Sequence, residues 1–163
     1  MAVTQEELEQ IVSAVVSTMG TQKKAPRRKS LNFERRLVQE YVQRTYPNWL
    51  QWRNVRVGNY PYTEQGMMYA FTRRWADAIV SDGKVIIVIE GKIRVRAGII
   101  SQLQLYLSEV YQTPELSKLG QIPVKGQCVV VFDDEKVRQM AEAAGLIWTV
   151  YTPSFMSEIM ENV

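Results

Sequence analysis

Residues 75–92, WADAIVSDGKVIIVIEGK, read as two almost continuous apolar arms about an Asp-Gly-Lys turn, with Asp77 set into the first arm and Glu90 and Lys92 into the second. A segment apolar in both phases of a two-residue period suits strands buried on both faces, which requires a sheet covered by helices on each side. Asp82-Gly83 is a hairpin signal, because a type I′ turn needs positive φ at both central positions and this dipeptide accepts it at low cost. A two-residue turn there pairs Ser81 with Lys84, Val80 with Val85, Ile79 with Ile86, Ala78 with Ile87 and Asp77 with Val88. Glu90 and Lys92 follow Val88 at steps of two, so Asp77, Glu90 and Lys92 are expected on one face, diagonal neighbours lying roughly 7–8 Å apart at the backbone. A carboxylate in such surroundings costs several kcal/mol unless it is paired or coordinates a metal. Two readings follow: a pair of carboxylates that binds a cation beside an ammonium, or a structural Glu90–Lys92 or Asp77–Lys92 ion pair at the open end of the hairpin.

Residues 97–111 have the apolar period of a helix, and Gln102 and Tyr106, spaced i, i+4, share one of its faces. That face can lie along the strand carrying Glu90 and Lys92. An aspartate, then Glu-x-Lys after a hairpin, then Gln-x-x-x-Tyr on the next helix resembles the PD-(D/E)XK nuclease superfamily, within it the RecB-like and lambda-exonuclease-like branch. The resemblance spans roughly residues 31–152, and its motif is five residues. It implies a metal-binding aspartate at Asp77, a second acidic ligand at Glu90 and a catalytic lysine at Lys92. Gln102 and Tyr106 would help hold the site and the nucleic-acid backbone. It also implies Mg²⁺ or Mn²⁺ and a restriction-endonuclease-like core, an α/β fold whose mixed central sheet has helices on both faces in the order αβββαβαβ.

The chain contains no histidine, whereas many RecB-like sequences carry one upstream as a further metal ligand. Glutamates of the helix expected over residues 31–44 are the available substitutes. Its apolar stripe is Leu37, Val38, Tyr41 and Val42; Glu34 sits near that stripe and Glu40 closer to the polar flank, which ranks Glu34 first. Each is also readable as a solvated helix glutamate paired with a basic neighbour. Absence of histidine excludes Ser-His-Asp and Cys-His nucleophiles and imidazole zinc sites. The single cysteine, Cys128, opens an apolar run and reads as a buried structural thiol, and one cysteine excludes an internal disulfide. No phosphate-cradling glycine loop is present.

Net charge is only +3, so the distribution of charge says more than its sum. Lys23, Lys24, Arg27, Arg28 and Lys29 form a basic cluster around Pro26, readable as a phosphate contact or as a solvated linker. Arg35, Arg36, Arg44, Arg53, Arg56, Arg73 and Arg74 continue the bias. Arg94 and Arg96 alternate with Val95 after Lys92 and are placed to contact a phosphate backbone. Residues 4–19 are expected to form an amphipathic helix opened by a Thr4/Glu7 capping box, to pack either on a partner subunit or on its own domain. The organisation expected is therefore this helix over residues 1–20, a basic linker over 21–30 and the nuclease-like domain over 31–163. A loop rich in Tyr60, Tyr62, Met67 and Tyr69 either stacks on bases or packs on the core.

Composition, 46% hydrophobic and 23% charged, is that of an ordinary globular domain, without a membrane span or a secretory signal, so a cytoplasmic setting is expected, or the host cytoplasm or virion if the source is viral or phage. Two function classes are compatible with these features. One is a metal-dependent nuclease of genome processing, repair or recombination acting on DNA, with RNA left open. The other is a non-catalytic nucleic-acid-binding or assembly protein on the same fold, since fold does not fix activity.

Overall fold

The computed structural model describes residues 26–59 and 75–162. The helix expected over residues 4–19 and any subunit contact it makes, Lys23, Lys24, Arg73, Arg74 and the loop of Tyr60, Tyr62, Met67 and Tyr69 lie outside those residues, as do the side chains of Arg27, Arg28 and Lys29.

Helix α1 (Pro26–Thr45) is already helical at the first described residue, so residues 27–29 belong to helical backbone and not to a linker ending at residue 30. Proline suits a first helical turn, where its missing N–H has no partner to lose. The stripe of Leu37, Val38, Tyr41 and Val42, extended back by Phe33, is buried, as its spacing requires. Strands β1 (Leu50–Arg56), β2 (Trp75–Ser81) and β3 (Ile86–Arg94) follow, then helix α2 (Gly98–Glu109) and two 3-10 turns over Val110–Gln112 and Pro114–Leu119. Strand β4 (Val124–Phe132), helix α3 (Glu135–Ala143), strand β5 (Ile147–Val150) and helix α4 (Met156–Asn162) complete the order. Asp134 caps α3 by accepting from the Val137 amide at 3.0 Å.

The five strands form one mixed open sheet in the order β1-β2-β3-β4-β5, antiparallel through β3 and parallel from β3 to β5. Helices α1 and α4 cover one face, packing on Ala78, Val80, Ile87, Ile89 and Val129. Helices α2 and α3 cover the other, packing on Ile79, Ile86, Val88, Cys128 and Val130. The chain is thus an α/β protein with the doubly buried central strands that its apolar ribbon demands. Among the described residues no helix is long and apolar enough to cross a membrane.

One detail differs from the sequence reading, and another lies outside it. The hairpin turn has four residues, not two, so Ser81 pairs with Ile86, Val80 with Ile87, Ile79 with Val88 and Ala78 with Ile89. The reason is local: Asp82 Oδ1 accepts from the Lys84 and Val85 amides, Ser81 Oγ donates to the Val85 carbonyl, and only Gly83, at φ 85°, takes a positive φ within the turn. An Asx-type turn satisfied by its own side chains replaces the expected type I′ turn. Second, the β1–β2 ladder skips one pair without changing register: pairing runs from Leu50↔Ser81 to Arg53↔Ala78 and resumes at Val55↔Ala76, with Asn54 at φ 48° between. Asparagine is among the residues that tolerate this left-handed conformation. Ala76 and Ile79, three residues apart, consequently join the same core cluster, and the alternation of β2 changes phase around Asp77.

Glu40 is a clamp between α1 and the chain preceding α4, remote in role from Asp77 and Glu90. It accepts from Tyr151 Oη at 2.9 Å, from the Ser154 amide at 2.9 Å and from Ser154 Oγ at 2.5 Å, with Arg44 at 3.6 Å. Burial works against its charge, but the Ser154 and Tyr151 donors and Arg44 outweigh it and hold the carboxyl below its ordinary range. A lowered folded-state pKa contributes stability above the unfolded-state value and loses it as pH falls through the folded-state value. Glu40→Gln is therefore expected to cost roughly 1–3 kcal/mol near neutral pH, with the gap to wild type closing on acidification, as thermal melts across pH will show. An equal gap at every pH would remove the clamp's charge from the account.

Candidate active site

The site is built where the phase change in β2 meets the middle of β3. Continuing the ladder past Ala78↔Ile89 sets Asp77 across from Glu90, and Asp77 Oδ2 accepts from the Gly91 amide at 2.9 Å. Glu90 projects toward α2, opposite Cys128 of β4 in the parallel ladder, and is 2% exposed. Helix α2 orients it: Gln102 Nε2 donates to Glu90 Oε1 and, at 2.8 Å, to Tyr106 Oη, which itself donates to the Trp75 carbonyl at 3.0 Å. Both amide hydrogens of Gln102 and the tyrosine hydroxyl are thereby spent in one direction, fixing one Glu90 oxygen. The other, Oε2, is buried without a hydrogen-bond partner among the described residues.

Such an orphaned acceptor is expensive, and the electrostatics register it. Burial foremost, and then the Asp77 carboxylate, push the Glu90 carboxyl well above the usual carboxylate range, with Lys92 only partly offsetting them. A proton on Glu90 would supply the donor that two facing carboxylates lack. Burial pulls the Lys92 ammonium down, but Glu90, Glu34 and Asp77 together outweigh it and raise its pKa, so the lysine stays charged. Burial likewise raises the Tyr106 phenol, with Glu90 adding to the effect, which keeps it a neutral donor. Burial, then the Glu90 charge, push the Cys128 thiol up to about 12, consistent with a structural thiol and not a nucleophile.

The structure thus brings Asp77, Glu90, Lys92, Gln102 and Tyr106 into one constellation. Glu34 joins it from α1, on the far side of the sheet, as the partner of Lys92 at 3.4 Å. Burial raises its carboxyl and Lys92 partly restores it. Among the described residues no group of three or more His, Cys, Asp or Glu side chains is arranged to hold a metal ion, and the contact Glu34 makes is the ion pair with Lys92. Arg94 stacks on Phe132 with its guanidinium carbon 5.5 Å from the ring centroid. The strand ends there: the Arg96 carbonyl accepts from the Ile99 amide in the turn into α2, so Arg96 does not continue the alternation from Lys92. Arg36 is engaged elsewhere, forked onto Glu158 at 2.7 and 2.9 Å and stacked on Phe155 at 4.0 Å, which ties α1 to α4.

Three contributors escaped the sequence reading. Gly91 presents its amide to Asp77 while letting α1 approach the sheet, and the signal for it was the glycine inside Glu-x-Lys. The Trp75 carbonyl anchors Tyr106, and Asn54 breaks the β1–β2 ladder beside Asp77; a backbone acceptor and a left-handed asparagine leave no side-chain pattern. No protein-family model matches the chain, and no curated protein is significantly similar to it.

Chemically, two carboxylates facing each other, one with an unused buried oxygen, are hard oxygen donors suited to Mg²⁺ or Mn²⁺. A charged lysine beside them is suited to an anion gathering negative charge.

Proposed function

We propose that the protein is a metal-dependent nuclease that hydrolyses phosphodiester bonds of nucleic acid, DNA foremost, on a restriction-endonuclease-like core. The observation that carries this reading is the buried Glu90 carboxylate with an orphaned oxygen, set against Asp77 and flanked by a charged Lys92. The element order, the mixed sheet and the Gln102–Tyr106 relay support the same likeness to the PD-(D/E)XK superfamily. Asp77 and Glu90 would hold Mg²⁺ or Mn²⁺, which when bound lowers the pKa of water and offsets charge on the phosphoryl group. Gln102 and Tyr106 keep the Glu90 carboxylate aimed, an ordering set in advance of substrate binding. Lys92, held protonated by three carboxylates, acts as a charged donor to the developing phosphorane oxygens and not as a proton acceptor. Glu34 positions that ammonium.

Lys92→Ala is accordingly expected to lower kcat by roughly 10²–10³-fold with little change in Mn²⁺ affinity, while Asp77→Ala lowers both. The assay is degradation of linear, circular and single-stranded DNA with Mn²⁺ or Mg²⁺, with EDTA as control. Equal cleavage by wild type, Asp77→Ala and Lys92→Ala would remove the assignment. A second reading, nucleic-acid binding without hydrolysis, draws on one observation: Lys92 is paired with Glu34. In that case EDTA leaves binding intact and no cleavage is seen in any metal.

A further inference from the structure

A cleft of about 360 Å³ opens between α1 and the interrupted stretch of β1, with Asp77 in its wall. Arg35, Gln39 and Gln43 line it from α1 at i, i+4 and i+8, successive turns of one helix face, and Arg53 and Asn54 line it from β1. Arg35, Gln39 and Gln43 are exposed, and none of their side chains makes a hydrogen bond or ion pair with another described residue. Arg53 is half-buried, its guanidinium makes one hydrogen bond among the described residues, to Gln51 Oε1 at 3.3 Å, and burial pulls its pKa down. A partly desolvated guanidinium without a carboxylate partner is costly, and an anion in the cleft would offset that cost.

The wall chemistry narrows the occupant. Two guanidiniums are donors only and match the acceptor oxygens of a phosphate, offsetting the repulsion by the Asp77 carboxylate in the same wall. Two carboxamides both donate and accept, as the edge of a base or sugar requires. The volume lies near the floor of the roughly 300–1,000 Å³ typical of small-ligand clefts, enough for one nucleotide unit and too little for a base pair with both backbones. We propose that this cleft seats one nucleotide of an unpaired nucleic-acid strand beside the bond to be cut, its phosphate on Arg35 and Arg53 and its base or sugar edge on Gln39 and Gln43. The placement beside the bond to be cut rests on the hydrolytic reading of Asp77 and Glu90; the binding of a strand does not.

The test measures binding apart from cleavage, in the full chain carrying Glu90→Gln, by fluorescence anisotropy with labelled single-stranded DNA, single-stranded RNA and blunt duplex DNA of one sequence across a salt series. Arg35→Ala is expected to raise the single-strand Kd roughly tenfold and to make the log–log salt slope shallower by about 0.7. Arg53→Lys, which keeps the charge and loses the fork, should fall between wild type and Arg35→Ala. Lys125→Ala, at an exposed site on β4, should match wild type, and thermal melts check that each variant folds. An unchanged Kd and slope in Arg35→Ala, or duplex bound as tightly and weakened as much as single strand, overturns the inference. A chain that binds single strands through Arg35 and never cleaves retains the cleft and loses the hydrolytic reading. One that cleaves duplex with Arg35→Ala unaffected does the reverse.

Discussion

Glu90→Gln is expected to cut Mn²⁺- or Mg²⁺-dependent cleavage by roughly 10²–10³-fold and, in the same protein, to raise the melting temperature measured in EDTA. The opposed signs follow from the environment of one side chain. Glutamine has the shape of the carboxyl, keeps an oxygen for Gln102 and replaces the orphaned Oε2 with an N–H that can donate to Asp77. Removing the buried charge relieves on the order of 1 kcal/mol or more, and each kcal/mol moves the midpoint by about 2–4 °C in a chain of this size.

The pH dependence has a definite sign. Burial and Asp77 raise the folded-state pKa of Glu90, so its contribution is fully present below the unfolded-state pKa and is lost as pH rises through the folded-state value. The advantage of Glu90→Gln should therefore widen with rising pH. It should shrink when saturating Mn²⁺ stabilises the wild type by binding the folded state alone. Calorimetric scans with EDTA and with Mn²⁺ across pH check all of this, and a variant that melts below wild type throughout while cleaving normally would make Glu90 a structural residue.

Gly91→Ala should cost about 1–3 kcal/mol or more, although it adds one methyl group to a strand. A Cβ there would lie 2.3 Å from Val38 Cγ2, 3.5 Å from the Glu34 carbonyl and 3.7 Å from Leu37 Cδ2. Val38 is β-branched in a helix and has one strongly favoured rotamer, so it cannot swing aside, and α1 must move. Moving α1 draws Glu34 from Lys92, and activity should fall with stability. The check is a double-mutant cycle in which Val38→Ala, harmful alone, recovers part of the loss caused by Gly91→Ala. Additive losses, or a Gly91→Ala protein that melts like wild type, would show that the helix does not press on the strand.

The pattern of legibility follows which interactions leave a trace in residue identity. Period-two burial made β2 and β3 readable, and i, i+4 spacing put Gln102 and Tyr106 on one face of α2. The turn was read two residues too short, because Ser81 and Asp82 satisfy the loop with side chains that a dipeptide rule ignores. That error left the face assignment intact, since an even offset preserves it. The role of Glu34 as counter-ion to Lys92 was illegible: the contact joins residues 58 positions apart and reaches past the sheet. The cleft was hidden for a similar reason, since Arg35, Gln39 and Gln43 read as the polar flank of an amphipathic helix until β1 supplies the opposite wall.

The hairpin tip is in this sense the ruler of a site it never touches. A loop one residue shorter or longer would turn every side chain of β3 to the other layer, sending Glu90 toward α1 and bringing Ile89 and Ile93 against Gln102 and Tyr106. The hydroxyl of Ser81 and the carboxylate of Asp82, which close the loop at its present length, thereby select which of two mirror-phase proteins the ribbon becomes. Only one of them sets Glu90 against Gln102 and Tyr106.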